Sequence, residues 1–466
     1  MASLRALLAL ALFFPFSLMV FRRFPRAMAA ALVVLAGTVF LPERTGFSVP
    51  VVQALEKEYV TYLAALLGAF VFQRRSLVAA GPGRGLEAIV GVMWIMNVFT
   101  ALTNGSAMMD EGKLEPGLGI YAVIVKSVAD MLTIGVPFFV GRALFRSKED
   151  LRTLLVVLAA VGLVYVPLIV VEVVMAIPFR VFQLSNLVYN VETQPQWRWG
   201  VIQPVVFMDN GLSLATLMAS SLIAGAGLLK AGMPIFRIKA KRARPLLLFG
   251  LVMSRNVAGI VYGSALTVLM AVLRPRLFAT IALGIATLAV VYPALRMADL
   301  FPDEALVSFA ARYEKDKARS LEGRFEEEEL VLGGLKDRFW VGWGTYGRVP
   351  GAETVGGGEK GLDGWWVLRL GTNGIIGVEL SYGIMAIPVF VAWRRTRRLR
   401  SPALVALLGA LMAIIGMRMI DLLLNGWWNH LPIFLAGALS GVLQSLGATR
   451  VVPRVEPAAV PVESKV

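Results

Sequence analysis

The sequence predicts an all-α, polytopic transmembrane protein, on three observations. Of the 466 residues 57% are hydrophobic, and the mean hydropathy of +0.71 is too high for a soluble α/β enzyme. Apolar runs long enough to cross a bilayer recur along the whole chain, interrupted by one large polar insertion. The Lys and Arg residues, which give a formal charge of +15, cluster in short loops between those runs. That distribution is the positive-inside pattern of a membrane protein and argues against a nucleic-acid partner. Cysteine is absent, so there is no disulfide framework, thiolate metal ligand or cysteine nucleophile.

The first run, in "MASLRALLALALFFPFSLMVFRRFPR", has the look of a signal peptide, but its strong basic cluster follows the apolar stretch instead of preceding it. It reads as a retained span that starts outside and delivers Arg22, Arg23 and Arg26 inside. Further spans are expected near 27–42, 59–72, 86–103, 119–140, 153–175, 204–229, 246–254, 257–273, 277–295, 364–392, 403–423 and 431–447, about 12–13 in all. The loops "RRFPR", "QRRSLVAAGPGR", "GRALFRSKEDLR", "KAGMPIFRIKAKRARP", "RPR" and "WRRTRRLR" all fall on one side with the N-terminus outside and the C-terminus cytoplasmic.

That count needs a hairpin between Pro245 and Arg274, because basic loops flank this stretch on both sides. One crossing breaks the charge rule, and two full crossings need about 40 residues. Two short helices turning at Ser254-Arg255-Asn256 satisfy both limits. Arg255 then sits about 15 Å from the inner surface, a depth at which a guanidinium is costly unless it faces water or a ligand.

Two polar segments are expected outside: 176–203, and a large loop over 296–363 with a helix near 303–332 and a glycine-rich stretch that reads equally as mobile lid or fixed platform. Residues 1–447 form one integral membrane domain, and 448–466 read as a disordered cytoplasmic tail.

Candidate site residues gather on the outer side. Arg198, Arg255 and Arg324 offer the planar donor fork that suits a diphosphate. Each has a plainer reading: Arg324 paired with Glu328 at i,i+4, Arg198 anchored between belt tryptophans, Arg255 purely structural. Asp363 is a helix cap or a catalytic carboxylate. Trp365 and Trp366 read as an interfacial belt, and His430 as a residue of the last outer loop. Lys126 with Asp130, and Arg418 with Asp421, read as intramembrane ion pairs, and Glu326–Glu329 as a solvated helix face. No spacing supports a metal.

Several stretches together resemble the O-antigen polymerase and O-antigen ligase superfamily of bacterial membrane glycosyltransferases. These are "RWGVIQPVVFMDNGLSLATLMA", "LLLFGLVMSRNVAGIVYGSALTVLMAVL", and "GRFEEEELVLGGLKDRFWVGWGTYGR" followed by "DGWWVLRLGTNGIIG". The likeness covers roughly 198–447, and Gly374 and Gly377 follow Asp363 at the family's spacing. It implies a multi-pass protein of the bacterial inner membrane, facing outward. Donor and acceptor would be undecaprenyl-diphosphate-linked oligosaccharides of lipopolysaccharide or exopolysaccharide synthesis, with a chain-length regulator as a possible protein partner and no cofactor. Arg255 and Arg324 would bind the diphosphate, with Arg198 a third contact, Arg369 and Tyr346 auxiliary ones, and Asp363 the base of an inverting, metal-independent transfer. Asp363 and Gly364 stand where many members have histidine and asparagine. That departure favours a polymerase over a ligase that delivers polymer to lipid A-core. A flippase for the lipid-linked sugar is the alternative from another class.

Overall fold

The computed structural model describes residues 3–49, 52–110, 113–312, 315–335, 338–349, 362–426 and 429–448. Among the described residues the secondary structure is mostly helical. The first half comprises α1 (Leu4–Arg23), α2 (Arg26–Phe40), α3 (Lys57–Phe72), α4 (Arg74–Ala80), α5 (Ile89–Thr103), α6 (Ile120–Asp130), α7 (Val136–Leu144), α8 (Lys148–Phe179) and α9 (Leu184–Tyr189). The second half comprises α10 (Gly211–Lys230), α11 (Ala240–Met253), α12 (Val257–Val272), α13 (Pro275–Met297), α14 (Asp303–Ala311), α15 (Lys315–Gly334), α16 (Trp365–Thr396), α17 (Pro402–Leu424) and α18 (Leu431–Ala448). Strands occur only as small antiparallel hairpins among the described residues: β1 (Gly46–Val49) with β2 (Val52–Glu56), β3 (Met108–Asp110) with β4 (Lys113–Glu115), and β5 (Trp197–Arg198) with β6 (Val201–Ile202).

Eight helical stretches among the described residues are long and apolar enough to cross a membrane, and α3 with α4, bent by 105° at their junction, makes up to nine. This is an all-α, polytopic membrane protein. The other apolar helices, Arg26–Phe40, Val257–Val272 and Leu431–Leu446, are shorter. Their starts and stops follow local chemistry. Ser147, Asn210, Asn256 and Ser401 each accept a hydrogen bond from the backbone N–H three residues on, satisfying donors a helix start leaves orphaned. Helix α10 begins at Gly211 and not near 204, because Asn210 caps it there.

Small residues decide which helices touch. Along α12, Gly259 and Gly263 lie against Ala215 and Ala219 of α10; a Cβ on either would meet the facing alanine Cβ at 2.6 and 3.0 Å. This small-xxx-small contact fixes the α11–α12 hairpin on α10. Gly437 and Gly441 of α18 likewise admit the backbone of Phe138 and Phe145 at α7. Gly437→Val would drive that interface apart. The expected outcome is a loss of about 1–3 kcal/mol, the scale of overpacking, read as a lowered thermal midpoint of the purified protein; an unchanged midpoint contradicts the packing.

The large loop expected over 296–363 contains α14 and α15 in place of a single helix over 303–332. Its glycine-rich part over 350–361 lies outside the described residues, as does the tail beyond Ala448. Residues 338–349 pack against α5 and α16. Helix α16 is broken at Gly374, where φ is 66°, and the loop fills the break. Trp343 and Gly344 donate to the carbonyls of Gly371 and Thr372, at 2.8 and 3.0 Å, and Ile375 donates to Phe339 at 2.9 Å. Thr100 and Asn104 of the α5 end hold the carbonyls of Val341 and Gly342 at 2.8 and 3.1 Å.

Lys126 was expected to pair with Asp130. Instead its ammonium donates to the carbonyls of Gly344 at 2.6 Å and Thr372 at 3.3 Å, at the helix break. Asp130 pairs with Arg369 at 3.4 Å and accepts from Asn97 at 2.9 Å. Asp130 is already partnered by Arg369 and Asn97, while the carbonyls of Gly344 and Thr372 beside the helix break have room for a further donor. In Lys126→Met, amide exchange at Trp343 and Gly344 is expected to quicken by roughly 10–100-fold, as the loss of charge-assisted hydrogen bonds implies. Wild-type protection in the variant would remove Lys126 from this role.

Candidate functional site

Two of the candidate residues meet directly. Arg324, on α15, donates from Nε to Asp363 Oδ2 at 3.3 Å. Its Nη2 reaches the side-chain oxygen of Asn425 at 3.4 Å. Asn425 turns that oxygen toward Arg324 because its amide nitrogen donates to Asp421, to Oδ1 at 3.0 Å and to the carbonyl at 3.1 Å. Asp421 in turn pairs with Arg418 at 3.1 Å, and Arg418 reaches Thr216 Oγ1 on α10 at 2.5 Å. A polar string therefore runs from an accessible end to a buried one: the side chains of Asp363 and Arg324 are 46% and 27% exposed, those of Arg418 and Asp421 5% and 2%. Tyr262 of α12 lies within electrostatic reach of both Asp421 and Arg324.

Arg324 does not pair with Glu328. Glu328 is buried, so the expectation of a solvated face at 326–329 fails at this position. Its carboxylate accepts from Arg296 Nε at 2.7 Å, from the Tyr292 hydroxyl at 2.9 Å and from Trp366 Nε1 at 3.1 Å. Burial pushes the Glu328 carboxyl up, and Arg296, Tyr292 and Trp366 oppose that shift. Glu328 stands one helical turn after Arg324, so this clamp on α13 and α16 sets the position of Arg324. Trp365 and Trp366 are correspondingly buried and are no interfacial belt. They pack on Tyr382 and Tyr292, at ring separations of 5.5 Å each.

Asp363 does not cap α16 with its side chain. Gly364 is the cap residue, at φ 102°, and a Cβ there would lie 2.9 Å from the Leu423 carbonyl. Only glycine suits that backbone and that space. Trp365 N–H donates to the carbonyl of Asn425, and Asp363 N–H to Glu327, at 3.2 and 2.8 Å. The Asp363 carboxylate is left to Arg324.

Arg198 and Arg255 form a separate group. The turn at Ser254–Asn256 joins α11 to α12 as expected, although α11 begins earlier, at Ala240. Arg255 has φ 54°, an uncommon conformation for a residue with a Cβ. Its guanidinium donates to the carbonyl of Ile202. Gln203 ties the same turn by donating to the Ser254 carbonyl at 2.9 Å. Arg198 pairs with Val201 across the β5–β6 hairpin, between exposed Trp197 and Trp199. Among the described residues no hydrogen bond or ion pair joins Arg255 to Arg324 or Asp363. The link is α12, which starts at Val257, two residues after Arg255, and reaches Tyr262 after about 7–8 Å of helical rise.

Arg369 is committed to structure. It bonds Asp130 at 3.4 Å and Ser381 Oγ at 3.1 Å, and stacks over Trp365 at 5.6 Å. The Tyr346 hydroxyl accepts from Leu362 N–H at 3.3 Å, next to Asp363 in sequence. His430 is buried against Tyr59 and Tyr62, and its backbone N–H donates to Glu58 at 3.4 Å. Among the described residues no group of three or more His, Asp and Glu side chains is placed to hold a metal ion. Sequence reasoning missed Asn425 and gave Glu328 the wrong partner. A signal existed for the first, in Asn425 following Asp421 at i,i+4.

No protein-family model matches this chain, and no curated protein matches it either.

Proposed function

We propose that this protein is a membrane glycosyltransferase that polymerises glycan repeats carried on a polyprenyl diphosphate. One observation carries the reading: an accessible Arg–carboxylate pair, Arg324–Asp363, is anchored through Asn425 to a buried Asp421–Arg418 pair. The order of the motifs around it supports the same superfamily. In this reading the chain crosses the bacterial inner membrane about 12–13 times, the shorter helices included, with the N-terminus and the site outside and the C-terminus cytoplasmic.

The chemistry follows from charge. A diphosphate is a good leaving group, so the transfer needs no general acid, only cations that hold the growing negative charge. In the resting site Asp363 occupies Arg324. An incoming diphosphate, carrying more charge, competes for that guanidinium and releases the carboxylate. Asp363 then takes the proton of the acceptor hydroxyl as its oxygen bonds the anomeric carbon and the diphosphate departs with its electron pair. A single in-line displacement inverts the anomeric centre. Arg255 and Arg198, at the tip of the α11–α12 hairpin and on the β5–β6 turn, are the second cationic group for the diphosphate.

The test is deletion of the gene and inspection of the surface glycan. Single repeat units left on the acceptor support polymerisation. Full-length polymer stranded on the carrier lipid indicates a ligase, and lipid-linked units accumulating toward the cytoplasm indicate a flippase; either result rejects the proposal.

A further inference from the structure

A second feature lies in the first half of the chain, among α3–α7. At the α3–α4 elbow the chain turns by 105°. Helix α4 therefore departs sharply from the course of α3, as a helix does when it passes from spanning a bilayer to lying along its surface. It opens with Arg74 and Arg75, and Arg84 follows it, all three exposed. Beside this cluster α3, α5 and α7 line an open groove of about 820 Å³, in the size range of ordinary ligand sites. Its wall is almost wholly apolar, with Leu63, Leu66, Phe70, Val90, Met131 and Phe139 among its side chains. A second apolar cavity of about 490 Å³ shares Trp94 and Met131 with it and continues along α5 and α6.

Two details separate this groove from ordinary lipid-facing surface. The α6–α7 stretch is wound as a π-helix over Met131–Gly135, and Met131 and Gly135 both line the cavity. Such turns widen a helix and recur at functional sites. The mouth is also charged on one side only. Glu87 faces the cavity, but it is consumed by the buried Arg142, which also holds the carbonyls of Ala80 and Gly81 at 3.0 and 2.8 Å. Arg74, which lines the cavity and stacks over Phe70 at 5.6 Å, has no carboxylate partner among the described residues. An apolar groove beside an arginine with no carboxylate partner matches a molecule with a phosphate at one end and hydrocarbon at the other.

We propose that this groove is a binding site for an anionic glycerophospholipid, its headgroup phosphate on Arg74 and its acyl chains in the apolar cavity. The site is independent of the Arg324–Asp363 centre and of the glycosyltransferase reading. It is tested on the full chain, reconstituted in vesicles of equal parts phosphatidylglycerol and phosphatidylcholine, re-extracted, and weighed with its retained lipid by native mass spectrometry. Phosphatidylglycerol is expected to be retained in preference to phosphatidylcholine. Arg74→Glu, an exposed change, should lower that retention by roughly tenfold. Gly91→Leu should abolish it by filling the groove: Gly91 lines the cavity on α5, and a Cβ there meets nothing within 4 Å, so the helix tolerates the change. Equal retention of the two lipids, wild-type retention in either variant, or a groove that holds only detergent would each overturn the proposal.

Discussion

Asp363→Asn should lower polymer formation by about 10²–10⁴-fold, the contribution of a positioned general base, while the protein accumulates at the wild-type level. The second half of that statement follows from exposure. Asp363 and Arg324 are partly open to solvent, and such pairs contribute little to stability. Asparagine keeps the size and one acceptor oxygen, so Arg324 retains a neighbour, but it has no proton affinity to offer an acceptor hydroxyl. Arg324→Lys complements it. Lysine keeps the charge but loses the fork that touches Asp363 and Asn425 together, so polymer formation should fall steeply with the membrane level again unchanged. Surface glycan of normal length from both variants, measured beside membrane protein levels, would remove this pair from the chemistry.

Asp421→Leu should have the larger effect on the molecule itself. It leaves Arg418, nearly inaccessible, without its carboxylate, and an orphaned buried charge costs about 3–5 kcal/mol. That is a large share of the roughly 5–15 kcal/mol that holds a folded protein together, so little protein should reach the membrane. The double change Arg418→Met with Asp421→Leu removes both charges and should restore accumulation, because apolar replacements of a buried pair are often neutral or better. Thr216 tolerates the loss, since its hydroxyl also donates to the Ser213 carbonyl at 3.0 Å. Polymer should not return with the protein. Without Asp421 Oδ1 the Asn425 amide loses the acceptor that points its oxygen at Arg324. The thermal midpoint and the glycan length, read on the same three proteins, separate the two roles; full-length polymer from the double variant would show that Arg324 needs no such orientation.

The helices were legible because a run of about 20 apolar residues has few other uses. The hairpin at Ser254–Asn256 was legible from charge: basic loops on both flanks, with too few residues between them for two full crossings, leave little else. The Arg418–Asp421 pair was legible as two opposite charges three residues apart in an apolar run, a spacing a helix brings together. The clamp on Glu328 was not. In sequence it is one of four consecutive glutamates that look alike, and only the arrival of Arg296, Tyr292 and Trp366 from other helices singles it out. The partner of Lys126 was illegible for a related reason, because the carbonyls it serves appear only once α16 breaks. The reading of Trp365–Trp366 as a belt failed because burial between helices and burial at a membrane surface select the same residue.

From composition and order alone, then, followed the solvent this chain is built for, most of its long apolar helices and the place of its polar insertions. These are local matters: hydropathy, helix period and charge within a few residues suffice for them. Which charges stand free and which are spent was settled by folding. Arg324 meets Asn425 across 101 residues of chain and Arg369 meets Asp130 across 239, and no pattern in either neighbourhood encodes the partner. Inside a membrane protein an ionised side chain takes whatever opposite charge or open carbonyl the packed helices bring to it, and that choice is made in three dimensions.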